Sequence, residues 1–189
     1  IAGLVKGAAE GEGLGNKFLA NIREADAIAE VVRVFDNENI THVHKNIDPK
    51  DDIEIINTEL IIADLDTVTR RIDKVRPNDP AFKEELPLLK TIQTDLQGGK
   101  LANSVVVSEK EMPIFKSLHL LTAKPFIYVF NVSEEQLKQN WQPPADLLTA
   151  INGSQFVILS NTFELLLSES SQEEQELFLS ELGMTQSGL

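Results

Sequence analysis

Ile1-Ala2-Gly3-Leu4-Val5-Lys6-Gly7, running on through Gly11, Gly13 and Gly15 into Asn16-Lys17-Phe18-Leu19, is the stretch around which the rest of the chain is organised. Five of the ten glycines fall in these first fifteen residues. A backbone of that composition takes positive φ and passes close to another group, at an entropic cost that ordinary packing does not demand. Two readings follow: a loop that changes shape or wraps a ligand, and a frayed terminus. The residues that come next favour the first. Phe18, Leu19 and Ile22 share one helical face over residues 11–24, and Ala27 to Phe35 reads as a buried strand, so the glycines lead into a packed core.

The 189 residues suffice for one sizeable core, or for one domain with a smaller helical appendage. Seventeen Lys and Arg against thirty Asp and Glu give a net charge of -13, which argues against a broad nonspecific duplex-binding surface. With no cysteine there is neither a disulfide nor a thiolate metal site, and reducing cytoplasm is the default compartment. No run of eighteen apolar residues occurs, so no membrane association is expected. The first residue is Ile and not Met, which is compatible with a processed or incomplete sequence. His42 and His44 stand in a polar loop far from His119, and solvated histidines are expected there in preference to a metal site.

Residues 27–35 are dense in β-branched and aromatic side chains and carry only two charges, the mark of an internal parallel strand covered on both faces. Asp48-Pro49-Lys50-Asp51 is a helix start: a capping aspartate, proline at the first helical position and a carboxylate near the exposed amides. The helix is expected to reach about Val75. Along it Ile61, Leu65, Val68, Ile72 and Val75 are spaced 4, 3, 4, 3, beside a charged outer face. After the turn at Arg76-Pro77-Asn78-Asp79-Pro80, the residues Phe82, Leu86, Leu89 and Leu96, with Ile92 or Gln93 between, give a second stripe. Pro87 kinks that helix or delays its start, and Gly98-Gly99 ends it. Ser108 and Glu111 have the form of a capping box for a third helical piece to about Leu120. Residues 48–120 thus read as an antiparallel helical projection inserted between residues 1–47 and 121–189. A bundle with its own core is the other reading; one narrow seam favours the projection.

The α/β pattern resumes with Phe126-Ile127-Tyr128-Val129-Phe130, a short helix or turn over 145–153, and the strand 155–159. A last helix follows, capped by Ser171 with Glu174, reaching Leu182 and stopping at Gly183. The strands lead into polar residues at their C-terminal ends, where open parallel sheets bind ligands. Asn131 and Glu134 follow one strand, and Ser160-Asn161-Thr162 the next. An amide three residues from a carboxylate offers donor and acceptor to one face of a purine, with Val132 against the ring. A plain strand-to-helix turn uses the same residue types.

Taken together, the Gly3-Leu4 step, the run from Gly11 to Ile28, the helical insertion and Phe126 to Glu134 resemble the YchF/Obg-like ATPase family of P-loop nucleotide hydrolases. The resemblance implies a partial G-domain parallel sheet carrying a coiled-coil insertion. It makes Gly3 the glycine of the Asp-x-x-Gly switch motif, and it puts Leu4 where many relatives of the wider class carry a water-orienting glutamine. An aliphatic side chain holds no water by hydrogen bond, so no catalytic side chain is identifiable here. Asn131, Val132 and Glu134 match the base-reading segment, with glutamate in place of the aspartate that commonly selects guanine, which implies relaxed preference or preference for adenine. Ser160, Asn161 and Thr162 occupy the next base-facing loop, although Asn161 departs from the usual small residue.

ATP or GTP with Mg2+ is the implied cofactor of the intact protein, and the ribosome or RNA its implied partner, with the protein a monomer. Yet no Gly-x-x-x-x-Gly-Lys-Ser/Thr occurs in the 189 residues. The chain then looks like an internal piece of a larger hydrolase, with weak or absent nucleotide binding of its own. A helical binding or scaffold module without nucleotide chemistry is the alternative.

Overall fold

In the computed structural model the described residues are 13–36, 47–74 and 80–188. Gly3, Leu4, Gly7, Gly11, His42, His44, Val75 and the turn at residues 76–79 lie outside them, as do the side chains of Phe18 and Phe82. The elements are α1 (Gly13–Glu24), β1 (Ile28–Arg33), α2 (Pro49–Asp73), α3 (Pro80–Gln97), a 3-10 turn (Ala102–Ser104) and α4 (Met112–Ser117). They continue with β2 (Phe126–Asn131), α5 (Glu134–Lys138), α6 (Ala145–Ala150), β3 (Gln155–Leu159), α7 (Asn161–Glu169) and α8 (Gln172–Glu181). By contacts the chain divides into two compact units. One takes Glu54–Pro125 with the chain up to Ile28, and the other takes Ala29–Ile53 with Phe126 onward.

The first unit is built on α2 and α3. Asp48 caps α2 as its residue type demands: Oδ1 accepts from the N–H groups of Lys50 and Asp51, both at 3.1 Å. The expected seam forms. Ile61 and Val68 are buried and Leu65 and Ile72 half-buried, packed with Leu88, Leu89, Ile92 and Leu96 of α3. Ile92, and not Gln93, completes the second stripe; Gln93 instead reaches Thr69 Oγ1 at 3.2 Å. Each fully buried aliphatic side chain contributes about 1.5–3 kcal/mol, so this seam is the main support of the hairpin. α3 continues through Pro87, which is exposed, so the missing N–H is lost on the solvent side and the helix neither stops nor starts late.

The third helical piece is shorter than expected. Ser108 and Glu111 bond each other in a turn, but the helix runs only from Met112 to Ser117, and His119 at φ 48° ends the run before Leu120. α1 is fastened to the same unit at its C-terminus. Arg23 donates to His119 O and to Thr67 Oγ1, both at 3.0 Å, while Lys124 Nζ donates to Arg23 O at 3.0 Å and to Ala25 O. A cation that binds the last carbonyls of a helix satisfies acceptors the helix leaves open.

The second unit holds most of a three-stranded sheet in the order β1-β2-β3. β2 and β3 are parallel, with Ile127 opposite Gln155 and Asn131 opposite Leu159. At the two ends of β1, Ile28 N–H bonds Pro125 O at 2.9 Å and Val34 N–H bonds Asn131 O at 3.1 Å, a constant offset that a parallel pair keeps. Strands alternating with helices and paired in parallel make this an α/β fold.

β1 corrects one expectation. It is not covered on both faces: Glu30 and Val32 are buried, while Ala29 is exposed and Val31 is 60% exposed. Glu30, one of the two charges in the stretch, is therefore an inward residue. β2 buries Phe126, Tyr128 and Phe130, and Phe130 meets the Trp141 and Phe156 rings at 5.8 and 5.5 Å between centroids. The last helix is as expected, with Ser171 and Glu174 in a full capping box and Gly183 at φ 66° after it.

Candidate functional site

The C-terminal edge of β2 and β3 brings the two predicted loops together. Side by side in parallel register, the strands end at Asn131 and Leu159, and one more bond, Val132 N–H to Leu159 O at 2.9 Å, carries the pairing a residue further. Beyond that point the chain turns at once into helices on both strands. Ser133 caps α5: its Oγ accepts the Gln136 N–H at 3.1 Å and its own N–H donates to Gln136 Oε1 at 2.9 Å. Ser160 caps α7, its Oγ accepting the Phe163 N–H at 3.5 Å, a long bond.

One bond ties the loops directly. Asn161 N–H donates to Asn131 Oδ1 at 2.9 Å. A backbone N–H can only donate, so this contact assigns the amide orientation and leaves the Asn131 Nδ2 donors for another acceptor. Glu134 opens α5 and is exposed, and Asn161 and Thr162 at the start of α7 are exposed as well. Asn131, Glu134, Asn161 and Thr162 thus all lie at or just after the C-terminal ends of β2 and β3.

Two of the expected site residues are buried. Val132 and Ser160 are each 1% exposed, Val132 in the sheet core and Ser160 as a helix cap, so they shape the loops and present almost no surface. The residue that sequence reasoning passes over is Gln136, whose Nε2 donates to Val34 O at 3.1 Å and links α5 to the end of β1. Its signal was available, since Ser133-x-x-Gln136 is a capping-box pattern. Among the described residues no group of three or more His, Asp or Glu could hold a metal ion, and no helix is long and apolar enough to cross a membrane.

No family profile matches the chain. It is 43% identical over its whole length to the Ribosome-binding ATPase YchF of Bacillus subtilis, covering 54% of that protein. To the Ribosome-binding ATPase YchF of Escherichia coli O157:H7 it is 42% identical, again over its whole length and covering 53% of the relative. The chain is homologous to the YchF family of P-loop ATPases and GTPases. The solved Schizosaccharomyces pombe YchF GTPase superposes with a TM-score of 0.80 at 31% identity, over 98% of this chain and 54% of that one. The homology to YchF therefore covers both units, although the chain spans about half the length of the curated relatives it matches.

Proposed function

We propose that this chain supplies the base-reading edge and a helical arm to a YchF-type nucleotide hydrolase of the cytoplasm, acting as a monomer that binds ATP or GTP with Mg2+ and contacts the ribosome or RNA. In functional terms, residues 1–47 and 121–189 serve the nucleotide and residues 48–120 form the arm. The observation that supports the base-reading edge is the bond from Asn161 N–H to Asn131 Oδ1, because it joins two loops where parallel sheets hold ligands. With Oδ1 occupied, Asn131 Nδ2 is left to meet an acceptor such as purine N7, which adenine and guanine share. Discrimination then falls to the Glu134 carboxylate, which accepts from the adenine amino group or from guanine N–H groups. Gly3 and Leu4 keep their assignment to the switch loop. Leu4 offers no hydrogen bond to water, so the attacking water is placed by other groups.

The arm is proposed as the partner-binding element. Its 4-3 seam supports reading α2 and α3 as a short coiled coil, and its outer face carries Asp66, Arg70 and Asp73, charges of both signs suited to a reversible, salt-sensitive contact. The bare chain binds nucleotide weakly, because its sequence holds no phosphate-cradling Lys-Ser/Thr loop.

Asn161→Pro tests the base-reading edge. Asn161 is the first helical position, where proline is tolerated, and Ser160 before it has extended backbone at φ -108° and ψ 113°, so the change removes the N–H donor while α7 persists. In the full-length protein, affinity for both ATP and GTP falls several-fold. Unchanged affinity for both, with α7 intact by circular dichroism, would count against this edge as the base site.

A further inference from the structure

The helix that carries Glu134 has only five residues, too short to hold its own position in water. What fixes it is Gln136. Its Oε1 accepts from Ser133 N–H, its backbone N–H donates to Ser133 Oγ, its Nε2 donates to Val34 O, and its carbonyl accepts from Trp141 N–H at 3.0 Å. The first two bonds close the capping box and would form equally well with glutamate at this position. The third would not, because a carboxylate cannot donate to a carbonyl. An amide is therefore required only for the link to Val34, and that link joins the turn holding Glu134 to the end of β1, which itself bonds Asn131 through Val34 N–H to Asn131 O.

We infer that Gln136 is a positioning residue for base discrimination: through its bond to Val34 O it holds Glu134 in register with Asn131, without touching the base itself. The inference rests on the base-reading role proposed for Glu134. A carboxylate that selects by hydrogen-bond geometry loses selectivity when displaced by about an ångström, whereas contacts to ribose and phosphate are unaffected by such a shift. Loss of the Val34 bond is thus felt in the ratio of two nucleotides that differ only in the base, more than in the affinity for either.

The test is equilibrium binding of ATP and of GTP to the full-length protein and to its Gln136→Glu, Gln136→Ala and Glu134→Ala variants. Gln136→Glu keeps the capping box and loses the Val34 bond; the expected result is a change of at least threefold in the ATP-to-GTP affinity ratio, in the same direction as Glu134→Ala. Gln136→Ala loses the Val34 bond and the acceptor for Ser133 N–H, and shifts the ratio at least as far. A purely structural role would weaken both nucleotides equally and leave the ratio where it was, and that result overturns the inference. If Glu134→Ala moves the ratio and neither Gln136 variant does, the positioning role alone is wrong. If none of the three moves it, the base-reading assignment of Glu134 fails too.

Discussion

Thr122 donates twice to Asp64, from its backbone N–H at 2.8 Å and its hydroxyl at 2.7 Å, and both residues are fully buried. Leu121 N–H adds a third bond to the carboxylate at 2.8 Å, and Thr122 Oγ in turn accepts the Ala102 N–H at 2.9 Å. Burial pushes the Asp64 carboxyl up; the bonds from Thr122 and Leu121 and the charge of Arg23 pull it back. One side chain of α2 thereby fastens the Leu121–Thr122 segment, and Thr122 in turn holds Ala102.

Asp64→Ala leaves the Leu121 and Thr122 N–H groups buried without their acceptor, and the expected loss is about 3–5 kcal/mol. Asp64→Asn keeps one acceptor and turns an NH2 toward a donor, for an expected loss of about 1–3 kcal/mol. Urea unfolding of the two variants checks both the loss and its order.

Arg71 and Glu85 join α2 to α3 through paired bonds of 2.6 and 3.0 Å, with the Glu85 carboxylate almost wholly buried and the Arg71 side chain about half exposed. Removing Arg71 alone strands the carboxylate. Arg71→Met is expected to cost about 1–2 kcal/mol after allowance for solvent screening, and Arg71→Met with Glu85→Met to recover most of it. A double-mutant cycle by chemical denaturation reads the coupling.

Glu30 gives a pH dependence. Burial, reinforced by the Asp52 carboxylate, raises its pKa from 4.5 to about 8. In the folded chain it holds its proton between those values while the unfolded chain has lost it, so its favourable share of stability is complete below about pH 4.5 and disappears as pH rises to about 8. Glu30→Gln removes this dependence. The variant is expected to gain on the parent across that window, by an amount on the order of a few kcal/mol at its alkaline end, and melting temperatures at a series of pH values check it.

Much of this architecture was legible because local signals agreed with tertiary ones. Asp48-Pro49 starts α2, Phe126 to Phe130 is a strand, and Ser171 with Glu174 starts α8, each for reasons contained in a few neighbouring residues. The exposed face of β1, with Ala29 and Val31 outward, was not legible because composition does not say which faces of a strand are covered. α7 was passed over because Ser160-Asn161-Thr162 also makes a plausible loop, and its cap bond is visible only once Phe163 is placed. Asn161 reaches Asn131 through its backbone, a role that no side-chain identity announces.

Leu65→Asp tests whether the hairpin folds by itself. Leu65 is half-buried against the seam, and an unpaired carboxylate there has no acceptable partner. The expected result in hydrogen exchange is loss of protection confined to residues 55–118. Simultaneous loss through residues 126–159 would show that hairpin and sheet unfold as one.

The central claim is that the edge formed by Asn131 and Glu134 reads a nucleotide base. Glu134→Asp in the full-length protein withdraws the carboxylate by one methylene while keeping its charge, its exposure and its place at the start of α5. The account predicts that the ratio of ATP to GTP affinity changes by an amount worth one hydrogen-bonded contact, about 1–3 kcal/mol or roughly 5- to 150-fold. An unaltered ratio would contradict it.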